Sequence, residues 1–181
     1  MSNPIIRTVI RTRFHLMSRD NATELIRNHK VAYLGLAEQI GSEWGGKSVT
    51  VPPMIGVDPE MRNWSFFEIL EHNAIVNRII SHSVMKLARG EDPTPEQPID
   101  HKTDVLPQGL GLSGPEQIEA FRESVDGYLS MIPTLPNFRG TAETPHPVFG
   151  LFDAHKWHCM FGFHLGLHLK QARKVISLLP H

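Results

Sequence analysis

The chain has one cysteine, Cys159, in 181 residues. An internal disulfide is therefore excluded, and the expected setting is a reducing cytoplasm. Surplus charge is also lacking: 18 Lys and Arg face 19 Asp and Glu, a formal net charge of −1. That balance provides no electrostatic footprint for nucleic acid or an anionic membrane. No apolar run is long enough for a transmembrane helix. No signal peptide is expected, because Ile5 to Ile10 is broken by Arg7 and followed by Arg11 and Arg13. Period-two alternation is missing too. Val49-Thr50-Val51 is short and followed by two prolines, so any strand there is minor. No repeat recurs at a period of about 20–50 residues. No Ser-His-Asp set or phosphate loop is evident. Gly109-Leu-Gly111-Leu-Ser-Gly114 spells the dinucleotide fingerprint. Pro107 precedes it and no parallel-sheet pattern surrounds it, so it reads as a loop entering a helix.

What is present fits one domain over residues 1–181, long enough to bury a core unaided. Hydrophobic residues make up 40% and charged residues 20%, ordinary globular values. Four long helical patterns predict an all-α four-helix bundle. The first begins near Asn21, a good N-cap. It carries Leu25, Ile26, Ala32, Tyr33, Leu36, Ala37 and Ile40 on one face and stops at Gly41. The second opens with a capping box, Ser65-Phe-Phe-Glu68, and runs to about Ala88. The third starts around Ser113-Gly-Pro-Glu116 and ends at Pro133. The fourth begins near Asp153 and runs to about Leu178. Residues 1–17 read either as a short helix or as an arm packed on the bundle or on a second subunit. The connections are each about 20 residues or more, long enough to cross the length of a bundle. Residues 89–112, rich in Pro, Gly and charge, are expected to cap one end.

Histidine is the residue in excess, 11 in all. His164 and His168 lie four apart in an apolar, helix-period run flanked by Phe161, Leu165, Ala172, Val175 and Leu179. Neighbours at that spacing share a helix face and reach a single metal ion. Chance alone predicts roughly 0.6 such pairs at this histidine content, so spacing does not decide the matter. Two hydrogen-bonded core histidines are the plain alternative. A third candidate ligand is His72, on the apolar face of the second helix between Ile69 and Val76. Bundles build metal sites from inward side chains on facing helices.

Trp64-Ser-Phe-Phe-Glu-Ile-Leu-Glu-His72 resembles the W-S-x-x-E-x-L-x-H signature that opens the second helix of the DinB/YfiT-like metalloenzyme superfamily. His146-Pro-Val-Phe-Gly150, followed by Trp157, His164, His168 and Gln171, resembles that superfamily's last helix and its approach. The order and separation of the two stretches match as well. The resemblance implies a four-helix bundle that binds a divalent metal through His72, His164 and His168. Some relatives carry a further histidine where this chain has Leu167. The resemblance also implies hydrolase-like or thiol-transferase-like activity.

Other residues have a functional and a structural reading. Glu68, one turn before His72, is either an outer-shell acceptor or general base for a metal-bound water, or simply the capping-box carboxylate. His29, on the first helix, either lines the metal pocket or shuttles a proton, or else packs the helix. Gln171 is an outer-shell partner of a ligand or a satisfied core amide. His146 is expected to shape its loop, His155 and His158 to lie at the surface or rim, and Cys159 to be a small buried thiol. Trp44, Trp64 and Trp157 are read as packing residues that could roof a pocket.

The expected function is metal-dependent chemistry on a small molecule, with zinc or nickel activating a water or a low-molecular-weight thiol. The alternative is a non-catalytic bundle whose metal staples helices, or a binding module. Homodimerisation through a helix face is a further expectation.

Overall fold

The computed structural model describes residues 4–94, 100, 103–108 and 114–180. The fingerprint-like loop, Ser113 and much of the stretch expected to cap the bundle lie outside these residues.

Five helices form. Helix α1 is Pro4–Leu16, α2 is Arg19–Gly45, α3 is Phe66–Ala88, α4 is Gly114–Met131 and α5 is Ala154–Leu178. Helices α2 to α5 are the four expected. They pack as a ring: α2 on α5, α5 on α3, α3 on α4, and α4 on α2. Chain neighbours α2 and α3 are therefore not principal packing partners, which is why a long connection joins them. None of the described helices is long and apolar enough to cross a membrane.

Helix starts follow local chemistry. Ser65 Oγ accepts from the Glu68 N–H at 3.2 Å, and Glu68 Oε2 accepts from the Ser65 N–H at 2.7 Å, completing the capping box. Asp153 Oδ1 accepts from the Lys156 N–H at 2.8 Å at the start of α5. Helix α2 begins two residues before Asn21. Ser18 is its cap, and Asn21 is the N–H that Ser18 Oγ accepts, at 3.1 Å. Serine and asparagine cap equally well, so composition did not separate them. Gly41 breaks the regular helix as expected, with φ +66°, a conformation other residues rarely adopt. One more turn resumes beyond it, to Gly45.

Residues 4–16 are a helix, and it packs on α5. Phe14 is fully buried, its ring edge-on to Phe152 and Phe163 at 5.8 and 5.6 Å. The Arg7 and Arg11 guanidinium groups donate to Val148 O and Phe149 O. Those carbonyls belong to a hairpin that periodicity did not reveal: β1, Thr144–His146, pairs antiparallel with β2, Gly150–Phe152. Three-residue strands are too short to display an alternating pattern. Nothing regular forms at Val49–Val51; Val51 instead pairs its N–H with Arg62 O at 2.9 Å.

The core joins all the bundle helices. Ile26 and Tyr33 of α2, Phe66, Ile69 and Leu70 of α3, Phe121 of α4, and Phe161 and Leu165 of α5 have essentially no exposure. Burying each such side chain is worth about 1.5–3 kcal/mol. Tyr128 stacks on Phe161 with centroids 4.2 Å apart.

Candidate metal centre

His72 projects from α3, and His164 and His168 from successive turns of α5, the helix that α3 packs against. All three are buried. One ring nitrogen from each lies within 4.8 Å of the others, a group that could hold a metal ion. Ring centroids are 5.1 Å apart for His72 and His164, and 4.6 Å for each of the other two pairs.

Outer partners set the tautomers. His72 Nδ1–H donates to Val105 O at 2.7 Å. His168 Nδ1–H donates to Gln171 Oε1 at 2.8 Å, and Gln171 Nε2 donates to Met61 O at 2.7 Å, which fixes the amide's orientation. In the neutral rings Nε2 of His72 and of His168 is left as a bare lone pair. His72 Nε2 lies 3.2 Å from His164 Nε2. His164 Nδ1 is buried and has no hydrogen-bond partner among the described residues. Backbone- or amide-anchored imidazoles with inward lone pairs are what a metal requires of its ligands.

Electrostatics point the same way. Burial holds His72 at about 4 and His168 at about 3, well below an ordinary imidazole. Burial, and then the nearness of His168 and His72, pushes His164 well down too. At neutral pH all three are uncharged and able to ligate. Three nitrogens, neutral and convergent, suit a borderline cation such as Zn²⁺.

The triad forms part of the wall of a cavity of about 200 Å³. The rest of the wall is Met61, Val76, Ile79, Ile80, Val105, His146, Pro147, Val148, Trp157 and Met160. Trp64 packs against the triad, its ring centroid 5.0 Å from that of His72 and 6.5 Å from that of His168.

A family model described as the DinB superfamily matches residues 18–172. The chain belongs to the DinB superfamily. Among solved structures it is similar to the crystal structure of TT2238, a four-helix bundle protein. The TM-score is 0.53 and the identity 17%, with 86% of this chain and 98% of that one covered. At that identity the likeness concerns the fold. No curated protein matches the chain.

On this DinB fold the other expected site residues separate. Glu68 Oε2 is taken up by the Ser65 N–H and by the Ser48 hydroxyl at 3.2 Å, and Glu68 is not part of the cavity wall. His29 does not line the triad's cavity. It belongs to a second one of about 170 Å³ between α1, α2 and α5, where its Nδ1–H donates to Gly162 O at 3.0 Å. Gln171 is fully buried between His168 and Met61. Leu167 packs against Gly56.

His155 and His158 are buried, not at the rim. His155 Nε2 lies 2.8 Å from the Arg139 guanidinium and 3.0 Å from both Phe14 O and Met17 O. His158 Nδ1 accepts from the Tyr128 hydroxyl at 2.7 Å, and its Nε2–H donates to Arg19 O at 3.2 Å. The face they occupy looks solvent-exposed on a four-helix scheme. Helix α1 and the turn after α4 cover it. Cys159 is buried as expected, and burial pushes its thiol up to about 12, so it is an inert packing residue.

Sequence reading missed two parts of the site. Val105 and Met61 act through backbone carbonyls, which no side-chain pattern reports. His146 was read as a loop residue only, but it also walls the cavity. Its place just before the last helix, in a stretch with the family's motif, was the available signal.

Proposed function

We propose that this chain is a metal-dependent enzyme acting on a small molecule, by hydrolysis or thiol transfer, with His72, His164 and His168 as the metal's ligands. The observation that carries this reading is the convergence of three buried, neutral imidazoles on the wall of a cavity large enough for a small substrate. A divalent cation held there, zinc or nickel, would supply Lewis acidity that polarises a carbonyl or acidifies a water or a thiol. The chain's own groups do the rest. Val105 O and the Gln171 amide hold two rings in their ligating tautomers. The apolar wall excludes bulk water, which strengthens every polar interaction inside. Three protein donors leave a coordination position for an exchangeable ligand, the arrangement of catalytic sites rather than closed structural ones. The chain's single cysteine fits a reducing compartment, where a low-molecular-weight thiol is abundant.

Metal analysis of untagged protein tests the ligand set. About one ion per chain is expected, lost in His164→Ala. Cobalt substitution then tests the open position: a small thiol should bring in a sulfur-to-cobalt charge-transfer band. A metal-replete protein that no added thiol or anion perturbs would be a stapled bundle, and the catalytic reading would fail.

A further inference from the structure

We infer that the cavity between α1, α2 and α5 is a second ligand site, fitted to a compact carboxylate that also carries a hydroxyl, with a ring or short hydrocarbon between them. The site is independent of the metal centre. Gly162 and Gly166, which line it, stand two positions before His164 and His168, so it opens on the far side of α5 from the triad.

The first observation is an imidazole with one nitrogen spent and one spare. His29 is half-buried, and its Nδ1–H donates to Gly162 O at 3.0 Å. Burial, and to a lesser degree the Arg173 guanidinium, hold the ring below the usual imidazole range, so it is uncharged at neutral pH. A neutral ring that donates from Nδ1 has a bare lone pair at Nε2. That nitrogen has no hydrogen-bond partner among the described residues. Its edge of the ring lies over Gly166, where an added Cβ would come 2.8 Å from Cε1 and 3.3 Å from Nε2. Glycine leaves that edge uncovered.

The second observation is charge of one sign. Arg13 of α1 and Lys170 of α5 line the cavity and are exposed, and neither charged group has a partner among the described residues. No acidic side chain lines the cavity among those residues. The whole chain has a formal net charge of −1, so this excess is local. Unpaired cations at one mouth attract an anionic head.

The third observation is the wall. Phe14, Leu25, Phe163 and Leu167 supply hydrocarbon, and the Phe14 and Phe163 rings meet edge-on at 5.6 Å. The Cys159 thiol there is taken up by Phe14 O and His155. An apolar cavity of about 150 Å³ admits benzene, and this one is about 170 Å³. The complementary molecule sets a carboxylate on Arg13 and Lys170, lays its ring on the apolar wall and donates a hydroxyl to His29 Nε2. A carboxylate alone leaves that lone pair unmet.

The test uses 4-hydroxybenzoate and benzoate as probes, followed through the NMR shifts of the Gly162 and Gly166 amides in isotope-labelled protein. 4-Hydroxybenzoate should bind about fivefold more tightly, the worth of one net hydrogen bond. His29→Leu should erase that difference while benzoate affinity changes little. Should His29→Leu not fold, 4-methoxybenzoate on wild-type protein replaces it: lacking the donor, it should bind no better than benzoate. Arg13→Gln and Lys170→Gln are exposed changes; each should weaken both probes about threefold, and the pair about tenfold. His164→Ala should leave both affinities in place, which separates this cavity from the triad, where a carboxylate could also reach a metal. Equal affinity for the two probes would overturn the role of His29. Unchanged affinity in the doubly substituted protein would overturn the anionic head. No shift at either glycine up to the probes' solubility, or shifts lost in His164→Ala, would overturn the site.

Discussion

Gln171 is the residue whose removal reports most sharply on the site. It is fully buried, accepts from His168 Nδ1–H at 2.8 Å and donates to Met61 O at 2.7 Å. Gln171→Leu keeps the volume and deletes both bonds. An orphaned buried donor or acceptor costs about 1–3 kcal/mol, and leucine's own burial offsets part of the two penalties. The metal-free variant should lose about 2 kcal/mol, read as a lower urea midpoint in chelator. His168 also loses the group that sets its tautomer, so zinc affinity should fall about tenfold to hundredfold in competition with a chromogenic chelator. Gln171→Glu separates the two effects. It keeps the acceptor for His168 and drops the donor to Met61, so stability should fall while zinc affinity holds. If Gln171→Leu bound zinc as tightly as wild type, the amide would be a mere packing group and the tautomer reasoning would be wrong.

In the metal-free protein, His72 and His158 titrate at about 4 when folded and near 6.5 when unfolded. Below pH 6.5 the unfolded chain therefore binds more protons, so stability is full above that pH and declines as pH falls towards 4. By pH 5 the loss should be about 2 kcal/mol for each histidine, visible as a falling urea midpoint; a midpoint flat from pH 7.5 to 5 would contradict it. Glu68→Ala should lower stability by about 1 kcal/mol through loss of the cap. It should leave zinc affinity within twofold, and a tenfold drop would return the carboxylate to the metal. The Phe67 ring sits against Gly45 and Gly114 so closely that an added methyl group would overlap it. Gly114→Ala should therefore cost about 1–3 kcal/mol, and Phe67→Leu in the same chain should restore most of it in thermal melts.

The four bundle helices were legible because each carries a long apolar stripe and a local start signal. Ser65 with Glu68, and Asp153, are caps whose geometry follows from side-chain reach alone. The triad was legible for a related reason: three histidines on apolar faces of two helices can only meet inside. What the sequence did not reveal depends on tertiary placement. Helix α1 is short and is settled by Phe14 entering the core and by two arginines reaching hairpin carbonyls 138 and 141 positions away. The triad's outer partners include Val105 O and Met61 O, and no residue type announces where its carbonyl will point. His29 looked like a candidate because it falls on the apolar stripe of its helix, between Leu25 and Ala32 or Tyr33. It lands beside Gly162 and Gly166, on a different face of α5 from the ligands.

Helix α5 also shows why residue type and burial together do not identify a metal site. His155, His158, His164 and His168 all belong to this one helix, and all four are buried. Burial lowers the pKa of every one of them. They differ in how their nitrogens are satisfied. His158 has a hydroxyl donor on one side and a backbone carbonyl on the other, so both nitrogens are used within the fold. His155 Nε2 is engaged by the Arg139 guanidinium and by the two carbonyls at the end of α1. His164 and His168 instead bring nitrogens together with His72, and His164 Nδ1 has no partner among the described residues. Packing imidazole nitrogens against one another is a poor arrangement for a core, because neutral rings supply one donor each and the surplus lone pairs face each other without compensation. The first pair serves the architecture by joining α5 to α1, α2 and α4. The second carries an unmet demand that a bound cation would satisfy. Zinc should therefore raise the urea midpoint of wild-type protein, and His164→Ala should abolish that rise, whereas His158→Ala should lower stability yet leave the zinc-dependent increment in place.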